Sequence, residues 1–392
     1  MPVELNEDQI QIRNMIQRFV EKEIVPVASE LEHADAYPHE IVEKMKELGL
    51  FGSLIPTDHG GMGLDITSYA LIIEEISKGW MSIAGILNSH VIMAYDVSQS
   101  GPEEIKRKYL MQMATGEKRG GIMLTEPNCG SDLQAIRTTA VKYGDFYILN
   151  GVKTFATNAR WGNTFLVLAK TDPAALPPYR GISLFVAEKP GPLGGSGGDG
   201  FTVSRDIGKL GYKGLKTCEV ALENFRVPAE NLVGGVEGKG FGQIMSGLEV
   251  GRINVAARAV GVAQAAFLES IRYAQQRDAF GKPIIKHQAI QFKLADMATR
   301  IEAARLLTYS AAAMKDRGER CDLEAGMAKL FASEACQWIV TEAMVIHGAY
   351  GYADEFNLER YYRDAPLMVI GEGTNEIQRM IIARGLLEQY KI

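Results

Sequence analysis

The sequence predicts an α+β protein built from an N-terminal helical domain, a middle antiparallel β-barrel or sandwich, and a C-terminal antiparallel helix bundle. Three observations carry this reading. Up to about Gly116 the apolar residues recur at helical spacing. Between Gly120 and about Gly235 they fall into short apolar or β-branched runs cut by glycine and proline. After Gly235 the helical period returns. The expected boundaries are 1–119, 120–235 and 236–392.

In the first unit Ile10, Ile12, Ile16, Phe19 and Val20 mark one helix, and "PHEIVEKMKELGL" is a second amphipathic piece with a glycine near its end. "IPTDHGGMGLD" reads as a loop, "ITSYALIIEEISKG" as a helix ending at Gly79, and "GPEEIKRKYLMQMATG" as a helix opened by Pro102 and closed by Gly116. In the second unit "DFYILNGVKTFATNA" places Asn150-Gly151 between two apolar runs, a strong hairpin signal. "NTFLVLAKT", "GISLFVAEK" and "KTCEVALENFRVP" read as further strands, and "PGPLGGSGGDG" as a surface loop. Helical stretches long enough to cross between parallel strands are missing, which predicts an antiparallel block. In the third unit Ile253, Ala256, Ala257, Val260, Ala263, Phe267 and Ile271 form one stripe. Ile290, Leu294, Met297, Ile301 and Ala304 form another. A further helix spans about Asp322 to Ile346, and the last begins after Gly373. Short loops between long stripes predict an antiparallel bundle.

With 392 residues, 46% hydrophobic and 23% charged, the chain can bury a large core. A net charge of −6 gives no general attraction to nucleic acid or to an anionic membrane. Cys129, Cys218, Cys321 and Cys336 are scattered without metal-type spacing and read as reduced thiols. The first residues are charged and lack the apolar core of a secretory signal, and no transit peptide is visible. Nor does any run approach the ~18 apolar residues of a membrane span. A cytoplasmic location is expected, with an organelle matrix as the other option.

Two polar stretches stand out. "GGIMLTEPNCGSDL" (Gly120–Leu133) crowds hydroxyls and acids into a turn held by Pro127 and Gly130. "VIGEGTNEIQRM" (Val369–Met380) sets Glu372 between Gly371 and Gly373, just before a helix whose cap is Thr374 or Asn375. Gln378 is placed to close a capping box. By spacing alone, Glu372 either caps the helix or is a working acid. The glycine clusters at 194–200 and 234–242 lack the strand–turn–helix setting of a dinucleotide fingerprint and read as loops.

"LTEPNCGSD", "RDAFGKPIIKHQAIQFKLADM" (Arg277–Met297) and "GEGTNEIQR" resemble, in order, three signatures of the acyl-CoA dehydrogenase family. The helix–β–helix order is also similar, so the likeness spans nearly the whole chain. It implies FAD, held without a covalent link between the β unit and the C-terminal helices, with an acyl-CoA thioester against the flavin. On that resemblance Thr125 and Ser131 touch the flavin ring, Phe155 replaces the tryptophan beside it, and Thr157 hydrogen-bonds flavin N5. Arg277, Phe280 and Gln288 hold the phosphates and adenosine of FAD from a neighbouring subunit, the arginine fork suiting phosphate. Thr374, Glu376 and the backbone at Gly348 and Gly351 make further FAD contacts.

The resemblance also makes Glu372 the base that removes the α-proton, with Arg252 facing it as partner charge. A helix N-terminus would lower its pKa and an apolar tunnel would raise it. Ser131, Glu249, Arg252, Tyr95, Asp96 and Gly373 are the implied substrate-side residues. Some members carry the base at the position of Gly251, which has no side chain to act with. The implied product is a trans-2-enoyl-CoA, with electrons passing to an electron-transfer flavoprotein from a homotetramer. Several residues depart from the pattern. Phe155 cannot donate an indole hydrogen bond, and Val345 and Ala349 replace a glutamine and a glycine. His90, Tyr95 and Asp96 in "NSHVIMAYDV" point to a short, branched, cyclic or polar acyl group unless they face away. The rival readings are an acyl-CoA oxidase using oxygen and a non-catalytic FAD- or CoA-binding scaffold. The scaffold predicts loss of the base, whereas Glu372, Arg252 and Thr157 are all present.

Overall fold

A computed structural model describes residues 5–391. The N-terminal helices are α1 (Glu7–Phe19), α2 (Val25–His33), α3 (His39–Glu47), α4 (Ile66–Gly79), α5 (Met81–Ser100) and α6 (Glu103–Ala114). Asn6 and Gln9 close a reciprocal capping box that starts α1, and the Asp65 side chain caps α4 by accepting from Ser68 N. Helix α5 is buried along most of its length and packs against α4, the C-terminal bundle and the first strand. With the helix Gly240–Gln276, which also packs against the strand Ile182–Glu188, it joins the three units.

The middle unit comprises β1 (Gly120–Met123), β2 (Thr139–Tyr143), β3 (Phe146–Thr157), β4 (Thr164–Lys170), β5 (Ile182–Glu188), β6 (Gly197–Gly198), β7 (Phe201–Asp206) and β8 (Thr217–Pro228). They form one curved sheet, a half-barrel, in the order β1-β4-β2-β3-β8-β7-β6, with β5 on β4. Two expectations need correction. The sheet is mostly but not wholly antiparallel: β1 runs parallel to β4 from Gly120↔Thr164 to Met123↔Val167. The β2–β3 hairpin lies between them in the chain and carries the return that a crossover helix would otherwise make. And Asn150-Gly151 is not a turn. It lies inside β3, while the turn is at Gly144-Asp145. The register against β8 shifts between Leu149 and Gly151, and a Cβ at Gly151 would collide with Thr138. The glycine therefore serves a bulge and a close approach.

The C-terminal unit consists of α7 (Gly240–Gln276), a two-stranded hairpin β9 (Asp278–Ala279) and β10 (Lys282–Pro283), then α8 (Gln288–Asp316), α9 (Asp322–His347), α10 (Leu358–Ile370) and α11 (Asn375–Gln389). Helix α10 is an addition to the expected elements. Pro366 inside it reads in sequence as a helix breaker. One apolar core runs without a break from Ile16 and Ile24 through α4 and α5 into α7, α8 and α9. The two helical units therefore share a core, and the β unit keeps a second one around Phe165, Phe185 and Phe201. All four cysteines are free and buried. Among the described residues no helix is long and apolar enough to cross a membrane, and no cluster of potential metal ligands occurs.

Candidate active site

Gly371, Glu372 and Gly373 link α10 to α11. Glu372 has φ +53° and Gly373 φ +87°. A non-glycine residue in the left-handed region costs of order 1–3 kcal/mol, and such strain persists where the surroundings over-determine it. The cap is Thr374, which accepts from Ile377 N at 3.4 Å. Asn375 is the first helical residue and is buried. Gln378 does not close a capping box; it donates to Gly373 O at 3.1 Å. Capping is thus complete without Glu372.

The Glu372 side chain reaches instead toward α5 and α7. Its Oε1 accepts from Asn88 Nδ2 at 2.6 Å and from Arg258 Nη2 at 3.0 Å. Its Oε2 has no hydrogen-bond partner and lies over Gly251, where an added Cβ would collide with it. Gly251 is the floor on which the carboxylate rests. The partner charge is a correction: Arg258, not Arg252, makes the contact. Six residues along α7 turn a side chain about 240° round the axis, so the two arginines cannot present the same face. Arg252 is buried nearby and acts on Glu372 through space.

Around this pair lies a polar network absent from the sequence reading. Asn254 Nδ2 donates to Tyr69 Oη at 3.0 Å, and Tyr69 Oη donates to Asn88 Oδ1 at 3.3 Å. Arg258 Nη1 donates to Tyr212 Oη at 2.9 Å. From α9, the buried Lys329 Nζ donates to Val369 O at 3.1 Å, Gly373 O at 2.8 Å and Asn375 Oδ1 at 2.8 Å. One ammonium thus pins the chain on both sides of Glu372. Sequence offered a faint signal for two of these residues: Arg258 and Lys329 are charged residues within otherwise apolar helical runs, "NVAARAVGVAQ" and "GMAKLFAS".

Burial pushes the Glu372 carboxyl above the ordinary glutamate value, and Arg258, Asn88, Lys329 and Arg252 pull it partly back. Burial pushes Lys329 down to about 8. A pH dependence follows. Activity that needs ionised Glu372 should rise with pH through a limb lying above the usual glutamate pKa. Lys329→Met removes a cation that favours the carboxylate, so the limb should move to higher pH, and Lys329→Arg should move it back. A kcat/KM–pH profile with the same limb in wild type and Lys329→Met would refute this role.

The remaining expected residues are placed as follows. Asn88, Ile92 and Asp96 form one stripe of α5, spaced a helical turn apart. Ile92 packs at Gly251, and the Asp96 carboxyl lies against Gly247, one turn earlier on α7. Asp96 is fully buried, both oxygens lack partners, and burial pushes its carboxyl well up. His90 faces away: it packs edge-on against Phe51 at 4.9 Å, and burial pushes it down to about 4. Tyr95 is partly buried, and Glu249 is ion-paired with Lys315 at 2.6 Å.

In the β unit, Thr154 N donates to Thr125 O at 2.9 Å, tying the 125–131 loop to β3. Phe155 sits at a bulge with φ +54°, its side chain 60% exposed, and Thr157 is two residues on. Ser131 is exposed, and Thr125 and Thr157 are partly buried. The open Phe155 ring is a face on which a planar ring system such as a flavin can rest. Arg277, Phe280 and Gln288 stand exposed around the β9–β10 hairpin, with Phe280 97% exposed and at φ +52°. Gly348 ends α9 in open space, but a Cβ at Gly351 would collide with Met344 O, so that glycine serves packing against its own helix. Thr374 Oγ1 is occupied as the cap, and Glu376 is exposed.

The fold is a β half-barrel between two helical units, with Phe155 open on the sheet and the strained Glu372 carboxyl held among the helices. The comparisons name the family. The acyl-CoA dehydrogenase N-terminal, middle and C-terminal domains match residues 6–117, 121–225 and 238–387. An acyl-CoA dehydrogenase of Bacillus subtilis (strain 168) is 44% identical over 98% of this chain and 99% of its own. A chain in the structure of the electron transferring flavoprotein of Acidaminococcus fermentans superposes with a TM-score of 0.94 at 42% identity, covering 99% of this chain and 100% of that one. Butyryl-CoA dehydrogenase from Megasphaera elsdenii gives 0.93 at 38% identity, over 99% and 100%. This chain belongs to the acyl-CoA dehydrogenase family, whose members are FAD-dependent oxidoreductases.

Proposed function

We propose that the chain dehydrogenates a short, branched, cyclic or polar acyl-CoA to its trans-2-enoyl-CoA, with Glu372 as the base for the α-proton. The observation that carries this is the state of Glu372: strained backbone, raised basicity, Oε1 held by two donors and Oε2 with no partner. An oxygen in that condition is suited to taking a proton. FAD, when bound, supplies the acceptor for the β-hydride. Thr125, Ser131, Phe155 and Thr157 would hold its ring, with Thr374, Glu376 and Gly348 as further contacts. The Glu372 backbone N–H would stabilise the thioester oxygen as charge develops there, worth about 3 kcal/mol.

In this reading exposed Arg277, Phe280 and Gln288 serve the FAD of a neighbouring subunit, which requires an oligomer; we take it to be a tetramer. Exposed Phe292, Met380, Leu387 and Tyr390 support an assembly surface. Likeness to a chain in the electron transferring flavoprotein structure supports such a protein as the electron acceptor.

The test is anaerobic addition of butanoyl-, 3-methylbutanoyl-, cyclohexanecarbonyl-, succinyl- and glutaryl-CoA to the purified flavoprotein. At least one should bleach the flavin; if none does, the reading fails. Peroxide formation in air at the turnover rate, without added acceptor, would favour the oxidase instead.

A further inference from the structure

The polar network around Glu372 exceeds what removal of an α-proton requires, and Arg258 is its least economical member. It is 4% exposed, in a helix where its neighbours are alanine and valine. Its ion-pair partner among the described residues is Glu372. The other titratable groups acting on it are the hydroxyls of Tyr212 and Tyr69 and the Lys329 ammonium. Glu372 in turn feels three cations, Arg258, Lys329 and Arg252.

Arg258 has a counter-charge only while Glu372 is ionised. As Glu372 takes the α-proton it becomes neutral, and Arg258 is left a buried cation without a counter-charge. Breaking a buried pair in this way is strongly unfavourable. A neutral acyl chain offers no remedy. An acyl group with its own carboxylate does, because it brings the missing anion to the guanidinium.

The geometry suits that occupant. Arg258 Nη2 is engaged by Glu372 at 3.0 Å, while Nε on the same edge has no partner. That edge is half of a bidentate carboxylate site. A base positioned for proton transfer stands ~3 Å from the α-carbon, which puts the guanidinium roughly 6 Å from it. A carboxylate two or three bonds beyond the α-carbon spans that gap.

We propose that Arg258 is a specificity-determining residue and that the acyl group is a four- or five-carbon dicarboxylic acid joined to CoA through one carboxyl. This rests on the acyl-CoA reading above and narrows it. The chemistry is unchanged. The α C–H gives its proton to Glu372, the β C–H gives its hydride to the flavin, and a C=C bond forms. The distal carboxylate stays intact and takes over Arg258 as Glu372 is neutralised.

The test compares isosteric pairs in which an isopropyl group replaces the carboxylate: glutaryl-CoA against 5-methylhexanoyl-CoA, and succinyl-CoA against 4-methylpentanoyl-CoA. Wild type should favour the carboxylate member of at least one pair by 10-fold or more in kcat/KM. Arg258→Gln should abolish or reverse that preference, and Arg258→Lys should restore part of it. Flavin content of each variant reports folding, and the wild-type ratio stands without any variant. Turnover that favours the isopropyl member in both pairs, or a preference unchanged in Arg258→Gln, overturns the assignment of Arg258 alone. Failure of every acyl-CoA in the set to bleach the flavin overturns the dehydrogenase reading and this one with it.

Discussion

Glu372→Gln is expected to lower the rate of flavin reduction by an acyl-CoA roughly 100- to 10,000-fold, the range for loss of a general base. The substitution is close to isosteric, and its consequences can be separated. The glutamine carbonyl can still accept from Asn88 Nδ2, which now lies 2.6 Å from Oε1. The backbone strain at φ +53° is unchanged, since it belongs to the loop that Lys329 pins and not to the carboxylate. Glutamine leaves Arg258 without its counter-charge, so the unfolding midpoint should fall, but the folded protein should keep its flavin and its affinity for CoA while chemistry does not survive. The measurement is an anaerobic single-turnover trace beside the flavin absorption of the same sample. Bleaching at the wild-type rate would remove Glu372 from the mechanism. Loss of flavin together with rate would instead indicate that the residue holds the site together.

Lys153→Met is expected to destabilise the protein by about 3–5 kcal/mol, the usual cost of stripping one partner from a buried ion pair. Against a total stability of about 5–15 kcal/mol this is severe. Lys153 is fully buried on β3; its Nζ donates to Glu126 Oε1 at 2.9 Å and to Leu124 O at 3.1 Å. Glu126 also accepts from Arg137 N at 2.6 Å and Thr138 N at 2.9 Å. The pair thus fastens both ends of the loop that carries Thr125 and Ser131 onto the strand that carries Phe155 and Thr157. Methionine fills the volume but leaves the carboxylate and the Leu124 carbonyl without their cation. The midpoint of urea unfolding should drop, and flavin should be lost before the helices melt. Lys153→Met combined with Glu126→Gln should recover part of the loss, because the stranded charge is gone. An unfolding midpoint equal to wild type in Lys153→Met would show that the pair contributes nothing net.

Much of the fold was legible because it is written locally. The stripes of α7, α8 and α9 follow from residues three and four apart, and Thr374 follows from the cap that α11 needs. Glu372 stood out as an acid between two glycines, but spacing alone left it a cap or a working acid, and the base role came from the family resemblance. Where local signals misled, a distant contact outweighed them. Asn150-Gly151 has the composition of a turn, yet Thr138 and β8 claim it for a bulge. Pro366 reads as a breaker, yet α10 continues through it with its apolar face in the core. In the β unit, β1 and β4 pair in parallel because the hairpin between them folds back, a fact about topology that no window of sequence contains.

The sequence by itself determined the order of helical and β units, the family, the acid at 372 and the lack of any side chain at 251. Only the tertiary structure decided what that acid touches. Asn88 and Arg258 stand 284 and 114 positions from Glu372, and Lys329 reaches it from a third helix. Residues so far apart share no periodicity, so their meeting depends on how α5, α7 and α9 pack around a common core. That packing, not the motif, fixes the charge around Glu372.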